Sequence, residues 1–206
     1  MGRPRNADPA LTRQRILDAA VHRFGEQGLK ATSLRQIAAD AGVTFATIHH
    51  HFGTKDELHE RCVEECFVDL EGLEGDLLKV VAEHAGDVKT VIRRAAMCAV
   101  GYALERSRSS RFLLRTTVFE ADAPHHARLG DAQRRYLDTA SRLLAPVLGR
   151  SERELRVPLQ GLMFLLTRVA LTTDAELETI GGDSATVREE LKAYVGEVAV
   201  STLVKS

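Results

Sequence analysis

Apolar residues recur along this chain at three- and four-residue intervals, and nowhere do they alternate singly over the length of a strand. Ile16, Ala20 and Phe24 form one stripe, reinforced by Leu17 and Val21, which predicts a first helix from about Leu11 to Gln27 that Gly28 ends. Leu34, Ile37, Ala38 and Ala41 set the inner face of a second, short helix. Ile48 and Phe52, four apart, set that of a third. From Lys55 the period continues to about Ala85 through Leu58, Val63, Phe67, Leu70, Leu77, Leu78 and Val81, with Gly72 and Gly75 inside the run. Further helices are predicted over 88–106, 110–121, 124–148, 151–172 and 184–203, with Pro146 and Pro158 disturbing two of them. Thr173–Asp183, with Gly181-Gly182, reads as a loop. The fold class is all-α.

The most informative stretch is Ser33–Phe52. Ser33 is a good N-cap, and Gln36 three residues on completes a capping box. Gly42 supplies the residue that a left-handed helix end favours, and Thr44 can cap the helix that follows. With Ile48 and Phe52 buried, Phe45, Ala46, Thr47, His49 and His50 point outward. Two short helices joined by a glycine turn, the second with a polar outer face, form the helix-turn-helix plan. The expectation is that Thr44–His51 enters a DNA major groove; the competing reading is an αα-corner that only packs. Ser33 and Thr44 are placed with the DNA-facing residues. Thr54-Lys55-Asp56-Glu57 is a second capping box, which sets Lys55 at a helix N-terminus where a phosphate could dock. Arg3 and Arg5, on an extended arm broken by Pro4, are expected to enter the adjacent minor groove. His49, His50 and His51 point about 100° apart round a helix, so they cannot share one metal ion, and no metal is assigned.

Charge sharpens this division. The net charge of the 206-residue chain is −1, but the balance is +4 up to residue 55 and −5 beyond it. A basic head on an acidic body suits contact with phosphate at one end only. Residues 1–54 are accordingly read as a DNA-binding domain with a basic arm, and 55–206 as a helical effector-binding and dimerisation domain. Hydrophobic content of 44% is enough for a sizeable core. Neither a secretory leader nor a membrane span is legible, which predicts a cytoplasmic protein. Three cysteines are too few for a disulfide framework.

Residues 13–58 resemble the DNA-binding domain of the TetR family of transcriptional regulators. Thr32-Ser33, Ile37-Ala38, Ala41-Gly42-Val43-Thr44, His51-Phe52 and Lys55-Asp56-Glu57-Leu58 match that family's pattern in type and spacing. His49 and His50 stand where the family usually carries one or two tyrosines, Ala46 replaces a frequent glycine, and Phe45 occupies an often polar position. The resemblance implies a homodimer on palindromic double-stranded operator DNA, most often a repressor, released by a small-molecule effector and needing no cofactor. It also implies that the last two long helices pair with their mates, through Leu162, Leu166, Val169, Leu191, Tyr194, Val195 and Val198. Effector contacts are sought among polar, thiol or aromatic groups on otherwise inward faces: Arg94, Cys98, Tyr102, Arg115, Phe119, Tyr136, Phe164 and Arg168. Two alternatives stand beside this one. His59, Cys62 and Cys66 share a helix face and suit a thiol- or metal-responsive regulator. A helical-bundle enzyme is the other, although no Gly-x-Ser-x-Gly, Walker, dinucleotide or His-Glu-x-x-His motif is present.

Overall fold

A computed structural model describes residues 8–84, 86–119 and 123–204, without the side chains of 118, 119, 123 and 124. Its described residues form α-helices joined by short turns. The first, α1 (Pro9–Ala31), begins at Asp8, whose carboxylate accepts from the Ala10 N–H at 2.9 Å. Gly28 stands at φ 82° and ψ 168° inside it, so regular winding stops there and Leu29–Ala31 form an added turn. The second, α2 (Leu34–Ala41), has its capping box intact: the Gln36 N–H donates to Ser33 Oγ, and the Ser33 N–H donates to Gln36 Oε1. Gly42 is left-handed, at φ 63°, and turns the chain into α3 (Phe45–Phe52). There the Thr47 N–H donates to Thr44 Oγ1 at 3.1 Å.

The next helix, α4 (Lys55–Glu83), has two unlike halves. Leu58, His59, Cys62, Val63, Cys66 and Phe67 are buried; no later described residue of the helix is. The body continues as α5 (Val88–Glu105), α6 (Ser107–Leu114), a π-turn (Arg115–Phe119), α7 (Ala123–Leu148), α8 (Glu152–Ala170), α9 (Asp174–Gly181) and α10 (Ser184–Leu203). Pro146 and Pro158 lie within helices that run on past them.

Two expectations need correcting. Residues 173–183 are not a loop: Thr173 and Glu176 close a capping box, and α9 is anchored by the fully buried Leu177. The stretch expected as one helix over 110–121 starts earlier, at Ser107, and widens at Arg115 into the π-turn. Its expected end at Ala121, and the end of α4 at Ala85, lie outside the described residues.

The first core joins Ile16, Ala20 and Phe24 of α1 to Ile37, Ala38, Ile48 and Phe52, and runs past residue 54 to Phe67, with Phe112 and Leu113 of α6. The body holds two further clusters. Ile92, Leu155, Leu159, Ala199 and Leu203 make one; Val100, Leu104, Val169 and Val195 make the other. At the seam, the His59 ring lies edge-on to Phe24 and Phe112, at 5.1 and 5.2 Å, and shares a hydrogen bond of 3.3 Å with Thr116 of the π-turn. The upper half of α4 therefore belongs mechanically to the head and is clamped by the body.

Candidate nucleic-acid interface

The third helix is held from beneath and open above. Ile48 is fully buried and Phe52 nearly so, while Thr44, Phe45, Ala46, His49 and His50 are exposed and Thr47 is half-buried. Leu34, Ile37, Ala38 and Ala41 fix the helix before it against α1, so the outer face of α3 is presented by a rigid support. Side chains on this face are tied down further. Thr44 and Thr47 share a hydroxyl–hydroxyl hydrogen bond of 2.8 Å. His49 Nδ1–H donates to the Gly53 carbonyl at 3.0 Å, and its ring stacks on Phe45 at 6.3 Å between centroids and 9° between planes.

Much of the head's positive charge is spent internally. Arg15 donates to the carbonyls of Ala41 and Gly42, closing the C-terminus of α2. Arg23 pairs with Asp40 and holds that carboxyl below its usual range. Arg13 lies over the Phe52 ring at 4.6 Å. Lys55, expected from sequence to meet a phosphate, has its Nζ turned inward, donating to the carbonyls of Leu29, at 2.8 Å, and Thr32, at 3.0 Å. The ammonium caps the end of α1 instead, because the turn after Gly28 leaves carbonyls that a cation satisfies well.

Arg35 is a further candidate for phosphate contact, one the sequence pattern did not single out. It is exposed in the first turn of α2, with no acidic partner among the described residues. Its signal was its place outward and one residue after Leu34, on the helix that crosses the DNA backbone in this plan. Lys30 is likewise exposed. Arg3 and Arg5 lie outside the described residues.

The body's candidate residues are dispersed. Cys98 and Tyr102 line a hollow of about 290 Å³ with Leu73 and Asp76 of α4, Arg106 at the end of α5, and Lys192 of α10. Arg94 lies in an adjoining groove of about 520 Å³ between α5 and α10, and Met97 borders both. Arg115 instead donates to the Glu26 carbonyl at 3.1 Å, and Arg168 binds Glu176 at 2.8 Å. Tyr136, midway along α7, was expected to face inward but is exposed, and the Phe119 side chain is outside the described residues. Phe164 was expected to face inward but is 67% exposed, since Leu155, Leu159 and Val169 occupy the inner face of α8.

Two of the expected dimer contacts also fail on burial. Val169 and Val195 are 3% and 1% exposed inside this chain's own core, so neither can reach a partner. Leu162, Leu166, Leu191 and Val198 are half-buried, and Tyr194 is exposed.

The thiol alternative loses its chemistry here. Burial pushes both α4 thiols up, Cys66 to about 12, so neither is a thiolate near neutral pH. No group of three or more His, Cys, Asp or Glu side chains among the described residues is arranged to hold a metal ion.

Comparison with known proteins agrees with this geometry. Residues 16–62 match the family model of bacterial regulatory proteins, tetR family. The HTH-type transcriptional regulator AcrR of Shigella flexneri is 38% identical over 93 residues, which are 45% of this chain and 42% of that one. The HTH-type transcriptional repressor KstR2 of Mycolicibacterium smegmatis is 36% identical over 63 residues, 31% of this chain and 30% of that protein. The chain thus matches less than half the length of these curated relatives. Over nearly the whole chain the likeness is one of fold. The ketosteroid transcriptional regulator KstR2 of Mycobacterium tuberculosis superposes with a TM-score of 0.70 at 17% identity, covering 94% of this chain and 95% of that one. A TetR-like transcriptional regulator from Rhodococcus sp. RHA1 gives 0.62 at 22% identity, covering 95% and 97%. Among the described residues no single helix is long and apolar enough to cross a membrane.

Proposed function

We propose that this chain, a member of the tetR family by its N-terminal domain, is a sequence-specific DNA-binding regulator that acts as a homodimer and is released by a small molecule. The observation that carries the reading is α3 itself: a short helix anchored by Ile48 and Phe52, with a ring-and-hydroxyl face turned to solvent. A helix of this size spans only a few base pairs, so a two-fold pair reading half-sites ~34 Å apart supplies the affinity that one copy lacks.

The proposed release mechanism follows from the two halves of α4. Its first half moves with the head, because Leu58, Val63 and Phe67 share the head's core. Its second half borders the hollow lined by Cys98 and Tyr102 through Leu73 and Asp76. A ligand that fits this hollow better at one tilt of α4 shifts the spacing of the two α3 helices. The coupling available to such a device is typically ~1–3 kcal/mol.

Selection of bound sequences from random duplexes, with the mass of the free protein measured by light scattering, tests the proposal. A palindromic consensus and a dimeric mass are expected. A protein that enriches no sequence, or that stays monomeric when bound, overturns it. The salt dependence of binding is a second readout, since phosphate contacts release counterions.

A further inference from the structure

The pair Phe45 and His49 carries chemistry that a phosphate contact does not use. His49 is bonded twice to Gly53: the Gly53 N–H donates to the His49 carbonyl at 2.9 Å, and His49 Nδ1–H donates to the Gly53 carbonyl at 3.0 Å. A carbonyl only accepts, so the bond puts a proton on Nδ1, and in the neutral form of the ring Nε2 carries none. Nε2 is then left as an acceptor on an exposed residue. An acceptor has nothing to offer a phosphate oxygen, but it matches the exocyclic amines of the major groove, N6 of adenine and N4 of cytosine. Phe45, stacked on the same imidazole and 50% exposed, presents an apolar face, whose match in that groove is the thymine C5-methyl.

We infer that Phe45 and His49 act as one base-reading unit, taking a thymine methyl and an exocyclic amine in each half-site. Their ring centroids are 6.3 Å apart, so the two bases lie within two steps of ~3.4 Å. Phosphate anchoring falls instead to side chains that can donate, Arg35 among them. The inference rests on the regulator reading above.

The test uses the full chain near pH 8 and the duplex it selects. In that duplex, thymine is replaced by uracil, which lacks the methyl; adenine by purine, which lacks N6; or cytosine by pyrimidin-2-one, which lacks N4. At one thymine of each half-site, uracil is expected to weaken wild-type binding about three- to five-fold and to leave the Phe45→Ala variant indifferent. At a neighbouring position, loss of the amine is expected to cost wild type roughly five-fold and the His49→Ala variant nothing. His49→Gln, which both donates and accepts, should move that position toward adenine. The inference is overturned if His49→Ala weakens random and selected duplexes alike, as loss of a phosphate contact would, or if wild type and both variants select the same consensus. If wild type selects no consensus, the regulator reading fails first, and the two failures are distinct.

Discussion

Lys55 shows what a single residue's surroundings add to its place in sequence. Its position in a capping box is legible, but its partners, Leu29 and Thr32, lie 26 and 23 residues earlier, and nothing local announces them. Lys55→Met should lower stability by about 1–3 kcal/mol, seen as a lower midpoint in denaturant, because two carbonyls lose a charged donor. The slope of DNA affinity against salt should stay unchanged; a shallower slope would restore the phosphate role. The thiols yield a second prediction at this scale. Their pKa values are raised by folding, so above pH 9 the unfolded chain loses protons that the native state keeps, and stability declines toward the folded value of about 12 for Cys66. The decline should be shallower in Cys66→Ala, and native protein at pH 8 should resist a thiol reagent at Cys62 and Cys66. Rapid labelling of either would contradict their burial.

Elements were legible in proportion to the length of their apolar stripe. The long helices and the α2–turn–α3 unit carry repeated inward residues together with caps, so pattern and capping point to the same boundaries. The short α9 has one fully buried side chain, Leu177, and too few turns for a period to show, while Gly181-Gly182 argues for a loop. Its capping box, Thr173 with Glu176, was the signal available. Thr173→Ala should cost about 1 kcal/mol and speed amide exchange over residues 174–181, leaving the head's exchange as it was. The π-turn has no sequence signature of this kind. The unequal burial along α4 makes a further prediction: amides of 71–83 should exchange faster than those of 58–67, since the latter half-helix is enclosed by the first core. Uniform protection along the helix would remove the two-part lever from the release mechanism.

For the whole molecule, sequence gave a head charge of +4 and the reading that this charge meets phosphate. Folding redistributes it. Arg15, Arg23 and Lys55 are committed to carbonyls and to Asp40, and Arg13 to an aromatic face, so four of the six described Lys and Arg side chains up to residue 55 hold the head together. What remains to meet DNA among the described residues is sparse: Arg35 and Lys30 are exposed, while Arg15, also exposed, is held by the carbonyls of Ala41 and Gly42. This separation makes the source of affinity measurable. In a homodimer, Arg35→Ala removes two phosphate contacts, so the slope of log affinity against log salt should become shallower by about two units. Arg15→Ala, by contrast, should destabilise the head by freeing the end of α2 and leave that slope where it was. If both substitutions change the slope equally, the internal and external roles assigned to these cations are not separate, and the rigid-head picture on which the spacing of the two α3 helices depends has to be abandoned.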